Sequence, residues 1–186
     1  MDDIVRQAMA KWPNVPDCYG WLGLDARGHW YMRDDAAQAC GGFASGRKGA
    51  KGSLLQHEKL IEFIHRNYAC DAMGQWFFQN GPQRVYVELE ETPWVWRIGG
   101  DGTIHAQTGA SAIYLQGWVD GRGYVYLNTD LGFGLVHTLD VGQVATALGD
   151  GLWTVKEIEQ GDIAHTFCYV PSPQAQHAQP AERGPT

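Results

Sequence analysis

Apolar and polar positions alternate most densely between Gly74 and Ile98, in the run GQWFFQNGPQRVYVELEETPWVWRI. Val85, Val87 and Leu89 alternate with Arg84, Tyr86, Glu88 and Glu90, which is the period of a strand with one aliphatic face. Trp94, Trp96 and Ile98 repeat the pattern against Val95 and Arg97, and Trp76 and Phe78 precede it. Asn80-Gly81 tolerates the positive φ of a tight hairpin, Pro82 fits only a loop or strand edge, and Glu91-Thr92-Pro93 makes the next connection. The run therefore predicts a three-stranded antiparallel meander. Its polar face would present Arg84, Tyr86, Glu88 and Arg97 beside aromatic rings as a ligand platform. The ordinary reading of such a face is a solvated surface with cross-strand ion pairs.

Upstream, residues 2–12 predict a short amphipathic helix with Ile4, Ala8 and Trp12 on one side, ended by Pro13 and Pro16. Tyr19 to Arg33 predicts a hairpin turning at Asp25-Ala26-Arg27-Gly28. Gly117 to Leu127 repeats its Gly-Trp pair and its Asp-x-Arg-Gly turn, so a duplicated hairpin is one reading of the pair. Arg27 and Arg122 would then be candidate anion contacts, although arginines on turns are ordinarily just solvated. Leu54, His57, Leu60, Ile61, Ile64, His65 and Tyr68 form one stripe at helical spacing, which predicts a helix over 53–69 with Ser53 and Gln56 as its capping box. Further strands are expected at 103–105, 112–118, 124–128, 134–139, 153–158 and 163–170. A short helix capped by Asp140 is expected over 140–148.

The segment 41–53, GGFASGRKGAKGS, is basic and glycine-rich and runs into the expected helix. A loop of this kind before a helix N-terminus can cradle an anion, with Arg47, Lys48, Lys51 and Ser53 as candidates. It is not a nucleotide P-loop, because Gly41 and Gly46 have the spacing but Arg47-Lys48-Gly49 follows where Gly-Lys-Ser/Thr is required.

Composition narrows the classes. At 186 residues, one globular domain over 1–170 is expected, followed by a disordered Pro/Gln/Ala-rich tail over 171–186. The net charge of −7, from 14 Lys+Arg against 21 Asp+Glu, argues against nucleic acid and anionic membrane as partners. No signal-peptide pattern and no apolar run long enough to span a bilayer occurs. Cys18, Cys40, Cys70 and Cys168 form no CxxC pair and read as reduced thiols of a cytoplasmic protein. No GxSxG, HExxH or GxGxxG motif is present. No cofactor and no metal is expected. Were a metal bound, His29, His105, His137 and His165 on the expected strands would be its candidates.

The segments YGWLGLDARGHWYMRDD, LLQHEKLIEFIHRNY, GQWFFQNGPQRVYVELEETPWVWRI and GFGLVHTLD together resemble a bacterial family of uncharacterised, conserved cytosolic proteins. The likeness covers most of residues 10–145 and implies a bacterial cytosolic setting and nothing catalytic. The expected fold is α+β: a predominantly antiparallel β-sheet, curved or partly closed into a barrel, with one main helix packed on it and short flanking helices. Three functions remain. The first is a non-catalytic module binding a small ligand or a protein through its aromatic, Arg-bearing sheet, whose Trp rings would equally suit a homodimer. The second is an acid–base or metal-dependent enzyme using sheet histidines. The third is an anion or nucleotide binder at the 41–53 loop.

Overall fold

The computed structural model describes residues 1–178. In chain order the elements are α1 (Asp3–Lys11), β1 (Cys18–Leu24), β2 (Trp30–Met32), α2 (Asp35–Cys40), β3 (Ser53–Leu54), α3 (Glu58–Arg66), β4 (Tyr68–Cys70), β5 (Trp76–Asn80) and β6 (Gln83–Leu89). There follow β7 (Trp94–Ile98), β8 (Ile104–Ala106), β9 (Ser111–Ala112), β10 (Tyr114–Asp120), β11 (Val125–Thr129), β12 (Gly132–Val136), α4 (Val141–Gly149), β13 (Val155–Ile158), α5 (Ile163–Thr166) and α6 (Pro173–Ala178). This is an α+β fold of two mixed sheets, one of them curled into a half-barrel, with several helices. None of the described helices is long and apolar enough to cross a membrane.

The two sheets repeat one topology. The first has strand order β3-β2-β1-β6-β5-β4 and the second β13-β10-β11-β12-β7-β8-β9. Each joins two three-stranded antiparallel meanders by one parallel pair, β1 beside β6 in the first and β7 beside β12 in the second. β13 extends the second sheet in parallel to β10. The alternation between Gly74 and Ile98 thus predicts the strands but not their partners. β5 and β6 form the expected Asn80-Gly81 hairpin, whereas β7 leaves for the other sheet instead of completing a meander. Thr92 holds that crossing: its hydroxyl donates to the Trp94 carbonyl at 2.7 Å and accepts from the Leu135 amide at 2.9 Å. The repeated hairpins also fall differently from the expectation. By topology the partner of β10–β11 is β4–β5, not β1–β2.

One five-residue turn closes these hairpins. At Asp25 the backbone closes through Gly28 N–H to the Asp25 carbonyl and Asp25 N–H to the His29 carbonyl. The Asp25 Oδ1 atom then accepts from the Arg27 and His29 amides at 2.9 and 2.8 Å. Asp71 repeats the pattern with Met73, Gly74 and Gln75, and Asp120 with Arg122, Gly123 and Tyr124. The glycine has φ of 83°, 78° and 80° in the three copies, left-handed values that complete a type I turn with a bulge.

The core lies on both sides of the second sheet. Tyr126, Phe133 and Leu135 pack with Leu22, Leu24, Trp30, Val87 and Leu89 of the first sheet and Ile64 of α3. Val125 and Leu127, alternating with Tyr126, pack with Trp94, Trp96, Ile98 and Val144 of α4. α3 is shorter than its stripe predicts. Ser53 and Leu54 pair with Met32 and Tyr31 as an edge strand, so the helix starts later and His57 Nδ1 caps it by accepting from the Leu60 amide. Residues 163–170, expected as a strand, form α5 and a turn in which Cys168 has φ of 53°.

Residues 171–178 of the expected disordered tail lie against the first sheet and include α6; residues 179–186 lie outside the described residues. The Leu89 amide donates to the Pro171 carbonyl at 2.8 Å, and Glu88 accepts from the Ser172 hydroxyl and the Gln174 amide. The buried Arg33 guanidinium donates to the carbonyls of Gly20, Gly41 and Ala50 and to Gln174. Unpaired charges at these depths would cost several kcal/mol, on the order of the penalty for breaking a buried ion pair, so each is surrounded by partners.

Asp140, expected as a helix cap, makes no cap bond to α4. Its Oδ2 accepts instead from Arg97 Nε at 2.5 Å and from the Ile98 amide at 3.1 Å. The Arg97 guanidinium, with the Ile98 amide, holds the Asp140 carboxyl below its ordinary value against the opposing effect of burial. Folding therefore favours the ionised form. This contribution is full above the unfolded pKa of about 3.9 and is lost as pH falls through the lower folded value.

Two stability measurements check these arguments. A Cβ at Gly74 would stand 2.3 Å from the Cys168 carbonyl oxygen, whereas one at Gly123 would meet nothing within 4 Å. Urea unfolding should give Gly123→Ala a loss of about 1–2 kcal/mol, the cost of a left-handed residue with a side chain. Gly74→Ala should lose more, about 3 kcal/mol, from the added backbone clash; equal losses would contradict the close approach. Asp140→Asn should lose about 1–2 kcal/mol at neutral pH, kept low because the Arg97 side chain is 55% exposed. That gap should narrow as the pH of the titration drops below about 4.

Candidate functional site

The first turn stands against the second sheet. A Cβ at Gly28 would lie 2.9 Å from Gln107 Cβ and 3.6 Å from Val95 Cβ. Gln107 Oε1 in turn accepts from the Val95 amide at 2.9 Å. Where this corner meets the second sheet there is a cleft of about 550 Å3. One wall is the turn itself, with Asp25, Ala26, Arg27 and His29, continued by Tyr31 of β2. Lys51 and Leu54 flank it, Glu90 enters from the end of β6, and Tyr124, Leu135 and Thr138 close it from the second sheet.

The polar groups are arranged by the fold. Glu90 bridges two segments: Oε2 accepts from the Ala26 amide at 2.9 Å and Oε1 pairs with Lys51 Nζ at 2.7 Å. The Lys51 ammonium also lies 5.7 Å from the centroids of the Tyr31 and Phe43 rings. Burial, then the Asp25 carboxylate, pushes the Tyr31 hydroxyl pKa up, so Tyr31 enters the cleft as a neutral donor. Asp25 Oδ2 lies 3.3 Å from His29 Nδ1. A carboxylate oxygen only accepts, so Nδ1 carries the hydrogen and Nε2 is the nitrogen available to the cleft. His137 lies within electrostatic reach of Arg27 and His29. Burial first, then the charge of Arg97, lowers its pKa against the opposing charge of Asp140. Its Nδ1 accepts from the Leu139 amide.

The candidates named from sequence scatter in part and converge in part. Arg27 and Lys51, named there as anion contacts on two separate segments, and His29, named there as a metal candidate, line one cleft. The other candidates stand apart. Arg84 stacks on the Phe77 ring at 4.7 Å, and the buried Tyr86 donates to Asp71 Oδ2 at 3.1 Å, its hydroxyl pushed up to about 12 chiefly by burial. Glu88 is buried beneath the C-terminal segment, and Arg97 belongs to Asp140 on the other sheet. Arg122 is saturated by a bidentate fork to Glu91 at 2.9 and 3.0 Å, by Asp120 at 2.9 Å and by the Tyr126 hydroxyl.

Arg47 borders a smaller hollow of about 200 Å3 with Phe43 and Lys51, Lys48 is exposed, and Ser53 sits in β3. His105 is on β8 beside Ser111, and His165 is in α5. Among the described residues no three His, Cys, Asp or Glu side chains come together as a metal site. Sequence reasoning missed Asp25, Tyr31, Glu90, Tyr124 and Thr138 as cleft residues. Asp25 had a signal, its place in the repeated turn, but it was read as turn chemistry alone.

A solved structure of a DUF1285 family protein from Silicibacter pomeroyi DSS-3 is similar at a TM-score of 0.44 and 12% identity, covering 77% of this chain and 83% of that one. No curated protein matches. The DUF2944 family model, described as "Protein of unknown function (DUF2946)", matches residues 1–179, and the chain belongs to that family.

Proposed function

We propose that this protein is a non-catalytic module that binds a small polar molecule in the cleft between the Asp25 turn and the second sheet. The observation that carries this reading is the gathering there of Arg27, His29, Lys51 and Glu90 from three separate segments, around a volume suited to a metabolite. Tyr31, Tyr124 and Leu135 supply apolar wall beside these few polar groups, the mixture that fixes both affinity and orientation in small-molecule sites. A buried sheet face covered by its own C-terminal segment supports the platform of Arg84, Tyr86 and Glu88 less well. All four cysteines stand as thiols, which fits a cytosolic setting.

Thermal-shift screening of small polar metabolites tests the reading. A ligand at about a hundredfold its Kd should add about 2.7 kcal/mol of stability. Thr138 is exposed at the rim, so Thr138→Trp should fold normally, fill the cleft and abolish that shift. A ligand that stabilises the Thr138→Trp variant as well as the parent would place binding elsewhere and end this reading.

A further inference from the structure

The three Asp turns provide an internal comparison. In each, Asp Oδ1 closes the turn by accepting from the third and fifth residues' amides, whatever side chains those residues carry. The third position holds Arg27, Met73 or Arg122 and the fifth His29, Gln75 or Tyr124. The turn therefore needs neither Arg27 nor His29. The second carboxylate oxygen is where the copies differ. In Asp71 it accepts from Tyr86, and in Asp120 from Arg122 and Tyr126, contacts that knit the first and second sheets internally. In Asp25 it meets the half-exposed His29 ring, and the Tyr31 hydroxyl stands beside the same carboxylate. Arg122 has carboxylate partners on two sides, while the Arg27 guanidinium has no hydrogen bond or ion pair among the described residues.

Lys51 is occupied by Glu90, so Arg27 and His29 are the basic side chains of this cleft whose outward nitrogens the fold does not use. A guanidinium fork and an imidazole whose other nitrogen is backed by a carboxylate share one complement. An oxyanion accepts two parallel bonds from arginine and, whenever the ring carries a hydrogen on both nitrogens, a third from Nε2–H. Resting on the ligand-binding reading of this cleft, we infer that its ligand carries an oxyanion, a carboxylate or phosphate group, seated on Arg27 and His29. Asp25 is then a positioning residue: one oxygen shapes the turn and the other aims the imidazole.

The molecule supplies its own control. The double variant Arg27→Met, His29→Gln changes Asp-Ala-Arg-Gly-His into Asp-Ala-Met-Gly-Gln, the sequence that already forms the Asp71 turn. Its fold should survive, with the melting temperature of the parent. The probes are inorganic phosphate and citrate, titrated into the intact chain at constant ionic strength and read by the NMR shifts of the His29 ring and Arg27 Nε. Saturable shifts are expected in the parent. Affinity, followed through cleft backbone amides, should fall about tenfold or more in the double variant, the loss expected for removed charge-assisted bonds. His29→Gln alone should lose part of it.

Undiminished binding in a folded double variant overturns the oxyanion seat. Thr138→Trp then separates the two readings: if it blocks the probe, the cleft stands with other anchors, and if it does not, the cleft falls too. A screen that yields only uncharged ligands, with neither probe shifting these groups, also overturns the inference while leaving the cleft in place.

Discussion

A carboxylate that accepts two backbone amides shapes corners in both sheets. Chain reversal into antiparallel strands leaves amide groups at the bend without ladder partners, and an aspartate at the first position satisfies two of them at once. Asp25, Asp71 and Asp120 do this with the same atom and nearly the same distances. The left-handed glycine three residues on lets the strands resume in register. Because one oxygen suffices, the other is available for tertiary contacts, and its partner decides what each corner does. Two of the three corners spend it on internal cohesion. At Asp120 it helps hold Arg122, which reaches Glu91 in the crossing between the sheets.

Buried charge sets the second constraint. Arg33 and Glu88 are almost fully buried on the first sheet, and they draw the loop after α2 and the C-terminal segment over its outer face. His177 extends this cover by stacking on Tyr19 at 4.2 Å, and Tyr19 stacks on Tyr86 at 4.6 Å. A face that reads from its alternation as an open polar platform is thereby roofed. The alternation itself was true: Tyr86 and Glu88 do point away from Val85, Val87 and Leu89. What it lacks is any statement of what lies above, because the covering residues are 84 and 86 positions away in the chain.

Local rules therefore made most of the strands, the Asp25 and Asp120 turns and the middle of the main helix legible, whereas α2, β4, the Asp71 turn and the helical residues 163–166 were not, and non-local pairing hid the rest. Asn80-Gly81 marks its hairpin by backbone chemistry alone. Thr92 and Pro93 carry no mark showing that the next strand joins a different sheet. Ser53 looks like a helix cap until Met32 is available as a strand partner, and ladder bonds then outweigh the cap. The candidate site shows the same division. Arg27, His29 and Lys51 were visible as residue types with possible chemistry. Their convergence depends on Glu90 joining the first turn to Lys51, a contact between segments that no spacing rule connects.

An oxyanion seat on this chain has to work at short range. The net charge of −7 repels small anions from a distance, so electrostatic steering would slow rather than speed their approach. At physiological ionic strength that repulsion is screened beyond about 8 Å, and inside that radius the directed donors of Arg27 and His29 dominate. The pairing of Lys51 with Glu90 sharpens the contrast, since it removes a diffuse positive charge that would attract any anion. What the proposed seat would then offer is the unpaired guanidinium fork of Arg27 and one ring nitrogen of His29, the ring oriented by Asp25. Affinity built in this way resides in the dissociation rate and favours ligands whose oxygens match the fork over anions that merely carry charge.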